Sequence, residues 1–180
     1  MTLKVWIACL MLGVAASGQA PVLRVGISVD MAVTSSAVPM AAAEQEGSLI
    51  VTVTRSGAMY SGVTVVTPTA LTTEIRRAGA GKVYIKADVG APYSNVAAVF
   101  GALRNAGATS AMLLTSQRDP ADGRNAPPKG LEVSISALRD SGEKQVGLVP
   151  TGPMSFGEVV RIIDASRSAG AKILLVTPMI

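Results

Sequence analysis

Histidine is absent from the 180-residue chain, and cysteine occurs once, as Cys9. Without histidine there is no Ser-His-Asp or Cys-His nucleophile, no histidine metal cluster and no imidazole pH switch. Cys9 falls within an apolar leader, so the chain beyond it carries no thiol. That removes disulfides, CxxC redox chemistry and thiolate zinc sites. Aromatic residues make up only 3% and are not interleaved with basic runs. Neither a base-stacking platform nor a phosphate-tracking stripe results, so nucleic acid is not an expected partner despite the net charge of +4.

Catalytic carboxylate pairs are missing as well. Glu44/Glu46 and Asp119/Asp122 lie in polar, loop-like stretches with no apolar setting to raise a pKa. Gly79-Ala80-Gly81-Lys82 lacks both the following Ser or Thr and the earlier glycine of a phosphate loop. No catalytic, cofactor-binding or metal residue is expected. The expected class is therefore a non-enzymatic protein without a cofactor.

What is present begins with a leader. Lys4 precedes an apolar run from Val5 to Ala16, and Ser17, Gly18 and Gln19 end it. Such a run is shorter than the roughly 20 residues of a membrane-spanning helix. Residues 1–20 are expected to be a signal peptide or a short membrane anchor. The 49% apolar content that follows from the whole sequence argues for a packed globular core.

From Lys82 to Gln117 the pattern is strand, helix, strand. Val83, Ile85 and Ala87 alternate with Tyr84, Lys86 and Asp88, a period of two. Val96, Val99, Phe100 and Leu103 then form one helical stripe, stopped at Ala106-Gly107, and Ala111 to Leu114 is a short buried strand. Upstream, Leu23–Val33 is predicted as a first strand and Thr34–Glu46 as a loop or loosely packed arm. Leu49–Thr54 is predicted as a strand that turns through Arg55–Ala58 into Met59-Tyr60. Val63–Val66 gives a short apolar strand or connector, and Thr67 and Pro68 open a helix to Ala78 that Gly79 closes. Residues 22–117 are thus expected to be an α+β domain, a mixed β-sheet with two helices on one face.

A Pro-, Gly- and charge-rich linker is predicted over 118–130. After it, 131–180 reads as a partial ββαβ repeat. Phe156–Thr177 matches Tyr93–Thr115, with Val159 on Val96, Ile162 on Val99, Ile163 on Phe100 and Ala169-Gly170 on Ala106-Gly107. Leu131–Ile135 and Arg139–Gly142 echo Leu49–Val53 and Arg55–Gly57. Ser155 and Glu158 have the spacing of a capping box. Counterparts of the first helix and of the Lys82–Asp88 strand are not apparent. A fragment this short is expected to dock on the first unit or on another chain. Tyr93 and Phe156 are expected to pack, and Lys86 and Asp88, on the polar face of their strand, to form a solvated strand end or a cap for the next turn, with a binding pair as the alternative.

VGISVDMAVTSSAVPM, LIVTVTRSGAMYSG and KVYIKADVGAPYSNVAAVFGALRNAGATSAMLLTSQ together resemble the periplasmic domain of the ExbD/TolR family. The resemblance covers about Val25–Gln117. It implies a sheet with two helices on one face, a homodimer, and work in proton-motive-force-linked biopolymer transport across the bacterial envelope. It implies a channel partner of the ExbB/TolQ type, contact with a TonB/TolA-like protein or peptidoglycan, and placement in the periplasm or in the inner membrane facing it. Family members carry an aspartate in a transmembrane helix. Residues 1–25 contain no Asp or Glu, so that proton-responsive group is not expected here. The alternative function is a periplasmic binding module for peptidoglycan or a small ligand, seated in a groove between the two halves.

Overall fold

The computed structural model describes residues 27–45, 47–79, 82–115, 128–135, 145–150 and 153–175. The leader, residues 118–127 of the predicted linker and the Arg139–Gly142 turn lie outside them. In chain order the elements are β1 (Val38–Pro39), a 3-10 turn (Ala41–Glu44), β2 (Leu49–Val53), β3 (Met59–Ser61), β4 (Thr64–Val65), α1 (Pro68–Ala78) and β5 (Val83–Ala87). They continue with α2 (Tyr93–Asn105), β6 (Ser110–Thr115), β7 (Lys129–Ser134), β8 (Gln145–Leu148), α3 (Phe156–Ser168) and β9 (Lys172–Leu175).

Local chemistry explains the first half. The turn between β2 and β3 closes through Thr54 N–H to Ala58 O at 2.9 Å and Gly57 N–H to Thr54 O at 2.9 Å. Gly57 has φ +86°, a left-handed value that favours glycine. Thr67 Oγ1 accepts from Ala70 N–H at 3.2 Å at the start of α1, and Gly79 ends the helix in the left-handed conformation. Leu71 and Ile75, one turn apart, are its buried residues.

The strands form one mixed sheet in the order β4-β3-β2-β5-β6-β7-β9-β8, with β1 paired to β7. β2, β5 and β6 run parallel, and β7, β9 and β8 run parallel to one another. The two sets meet antiparallel along β6 and β7, from Ser110↔Ser134 to Thr115↔Lys129. The fold is α+β, and the second half extends the sheet of the first.

Buried residues of all three helices join one core cluster with Val51, Ile85, Leu113, Leu131 and Ile173 from the strands. The helices therefore share a face. On the opposite face Ile50, Tyr84, Met112 and Leu114 pack under Met40 and Ala43. Each such buried aliphatic or aromatic side chain contributes about 1.5–3 kcal/mol.

Several expectations are corrected. Residues 27–32 of the predicted Leu23–Val33 strand are not in a strand; Val33 forms only an isolated bridge. Their backbone is engaged at a chain turn: Val89 N–H donates to Asp30 O at 2.7 Å. The segment expected to be loose, Thr34–Glu46, supplies β1 and the 3-10 turn and is a strap over the second sheet face. Alternation along β5 had suggested a solvated face, but Tyr84 is buried because the strap covers it. Lys129 and Gly130, placed in the linker by composition, belong to β7.

A counterpart of the Lys82–Asp88 strand also exists. β8 precedes α3 and pairs parallel with β9, as β5 precedes α2 and pairs parallel with β6. Among the described residues no helix of the second repeat corresponds to α1. Val99 on α2 is 0% exposed, whereas its match Ile162 on α3 is 41% exposed.

Candidate functional site

The two repeats meet at the openings of α2 and α3. Tyr93 N–H donates to Met154 O at 2.9 Å, and Phe156 N–H donates to Ala91 O at 2.8 Å. Pro92 and Ser155 form the antiparallel bridge between those two bonds. Because Tyr93 and Phe156 hold matching places in the repeat, the exchange is reciprocal and defines a local two-fold relationship. Both side chains are buried, in keeping with packing. Gly157 N–H also donates to Val89 O at 2.9 Å, and a Cβ on Gly157 would lie 2.4 Å from Val89 Cγ2. The capping box is formed: Glu158 N–H donates to Ser155 Oγ at 3.3 Å, and Ser155 N–H donates to Glu158 Oε2 at 2.8 Å. Among the described residues the buried Tyr93 hydroxyl has no hydrogen-bond partner, and burial pushes its pKa up to about 12, an effect that Arg104 opposes.

Asp88 ties three segments at the end of β5. It accepts from Gly90 N–H at 2.8 Å, Arg55 Nε at 3.0 Å and Asp30 N–H at 3.3 Å. Desolvation alone would raise its pKa; the bonds from Gly90, Arg55 and Asp30 and the Arg55 charge offset this and hold the carboxyl below its usual range. Asn95 on α2 adds a bond from Nδ2 to Gly57 O at 3.0 Å, so the β2–β3 turn is held from two sides. Asp88 thus caps the following turn, and it is not solvated. Lys86 is no part of this knot.

A second carboxylate fixes the strap. Asp164 on α3 accepts from Ser35 N–H at 2.9 Å, Ser35 Oγ at 3.0 Å, Ser36 N–H at 2.8 Å and the Ser36 hydroxyl. Burial alone would raise its pKa, but the serine hydrogen bonds outweigh that and lower it. Between the two anchor points Thr34 and Thr115 hydroxyls meet at 2.8 Å in a buried setting. Asp164, Ser35, Ser36 and Arg55 were not singled out by sequence. A Ser-Ser pair signals a turn, but its partner is 128 positions away from Ser36.

Other predicted positions are dispersed. Glu44 ends the 3-10 turn, Gly79 caps α1, and Glu46, Asp119 and Asp122 lie outside the described residues. Among the described residues no group of three His, Cys, Asp or Glu could hold a metal ion, and no helix is long and apolar enough to cross a membrane.

Two surface features stand out among the described residues. Between α1 and α2 runs a groove walled by Thr69, Thr72 and Thr73 on one side and Ala97, Ala98 and Gly101 on the other. At one end of the sheet, β4 is paired only with β3 among the described residues, and Val63 and Val65 are 76% and 66% exposed. No family model, curated protein or solved structure matches the chain.

Proposed function

We propose that the protein is a non-enzymatic envelope adaptor of the ExbD/TolR type, serving a proton-motive-force-linked transport complex from the periplasm or the periplasmic face of the inner membrane. Support comes from the succession over 49–115 of hairpin, helix, strand, helix and strand, with β2, β5 and β6 parallel. The observation that carries the binding role is the β4 edge. Its backbone groups and the exposed Val63 and Val65 offer an extended partner segment both a hydrogen-bonding ladder and apolar contacts.

The partners proposed are a channel protein of the ExbB/TolQ type and an energy-transducing protein of the TonB/TolA type. Co-purification from an envelope fraction, comparing the full chain with Val65→Lys, tests this. A lysine on the edge strand disfavours strand addition, so retention is expected to fall about tenfold. Equal retention removes the β4 edge as the site, and absence of any envelope partner removes the adaptor role. Retention on purified peptidoglycan at low salt, without a protein partner, supports the binding-module alternative.

A further inference from the structure

The sheet register sets three polar side chains together on the face opposite the helices. Thr52 of β2 stands opposite Lys86 of β5 and also opposite Tyr60 of β3. Residues paired across adjacent strands point to the same side of the sheet, so Tyr60, Thr52 and Lys86 form a row. Leu114 of β6, under the strap, continues that row beyond Lys86.

Two independent features of this row call for a ligand. Thr52 is 0% exposed, and its Oγ1 has no hydrogen-bond partner among the described residues. A buried polar group left unmet is destabilising, so a partner there is favoured. Lys86 is half-buried, and among the described residues it makes no ion pair. Burial lowers the pKa of its ammonium, and among the described residues no carboxylate offsets that. Asp88, two residues further on, is taken up by Arg55, Gly90 and Asp30.

We propose that Thr52 and Lys86, flanked by Tyr60, form a carboxylate-binding site on the strap side of the sheet. Lys86 supplies the charge and Thr52 Oγ1 donates a hydrogen bond, which together satisfy both groups. A single ammonium matches the single charge of a carboxylate, whereas phosphate recognition draws on arginine forks or several donors. The carboxylate belongs to a peptide terminus, an acidic side chain or a small free acid. The site does not depend on the ExbD/TolR reading; at its Tyr60 end it adjoins the β4 edge, because Val65 stands opposite Tyr60.

The test is NMR on the isotopically labelled full chain, titrated with sodium acetate and, separately, acetamide at constant ionic strength. Acetate is expected to give saturating shifts at the Lys86 Cε and at the Thr52 and Tyr60 amides, while acetamide gives none. Lys86→Met is expected to weaken binding at least about tenfold and Thr52→Val about threefold to tenfold. Thr52→Val keeps the side-chain shape and guards against a loss caused by misfolding. A short peptide with a free C-terminus that binds more tightly than acetate, and fails when amidated, identifies a peptide carboxylate; equal affinity identifies a small acid. Shifts that do not saturate, or that persist unchanged in Lys86→Met, overturn the proposal.

Discussion

Tyr93 and Phe156 are bound to each other's neighbours: each donates its backbone N–H to the carbonyl two residues before the other. The sequence repeat is thereby closed into an internal pseudo-dimer around the Pro92–Ser155 bridge. The two aromatics differ by one atom that matters. Tyr93 brings a buried hydroxyl, without a partner among the described residues, to a place where the second repeat has a plain ring. Tyr93→Phe is therefore expected to leave stability unchanged or raise it by about 1 kcal/mol, and Phe156→Ala to lower it by about 3–5 kcal/mol, both read from urea unfolding. A phenolate component near pH 12 is expected in the titration of the wild type and should be absent from Tyr93→Phe.

Asp88 makes stability depend on pH in a defined direction. Its folded pKa is below the unfolded value, so its contribution is complete above the unfolded pKa and fades as pH falls through the folded one. Acid titration of unfolding should show this loss at and below the ordinary carboxylate range, and Asp88→Asn should flatten it. At neutral pH Asp88→Asn is expected to cost about 2 kcal/mol through weakened bonds to Gly90, Arg55 and Asp30. Arg55→Ala should cost less than about 1 kcal/mol, because the arginine is mostly exposed.

Asp164→Asn should loosen the strap while sparing the sheet. Hydrogen exchange is expected to accelerate across 35–44, where Ser35 and Ser36 lose their charged acceptor, while amides of β5 and β6 keep their protection. Asp164 also has a lowered pKa, so the strap stays fastened throughout the neutral range and loosens only when pH falls through that lowered value.

Gly130→Ala is expected to disturb the junction between the two halves. A Cβ there would sit 2.3 Å from Leu113 O and 2.8 Å from Met40 Sδ, and the backbone oxygen has little room to yield. A loss of about 1–3 kcal/mol is expected, with faster exchange concentrated along β6 and β7.

Much of the first half was legible in the sequence because its signals are local. Thr67, Pro68 and Gly79 bound α1 by capping chemistry alone, and Val96, Val99, Phe100 and Leu103 announce a buried helical stripe. The strap was not legible. Its small and polar residues look like a loop, and what orders them is contact with Asp164, Thr115 and Gly130, all distant in sequence. Alternation in β5 identified two faces correctly but gave no sign that the second would be covered. Lys86 and Asp88 looked like a pair by spacing, yet Asp88 closes a turn while Lys86 stays in the sheet beside Thr52. The Thr52–Lys86–Tyr60 row requires strand order and register, which periodicity within single strands does not contain.

The strap also sets an order of events during synthesis. Residues 30–43 leave the ribosome before nearly all the strands they cover, and Asp164, which holds Ser35 and Ser36, emerges 129 residues after Ser35. Contacts of such long sequence separation form late, because the intervening loop must close first. Until α3 is made, the cover over Ile50, Tyr84, Met112 and Leu114 lacks one of its fastenings, the bonds from Ser35 and Ser36 to Asp164. The cover of the first repeat is thus expected to reach its full hold only when the second repeat, which carries Asp164, is complete.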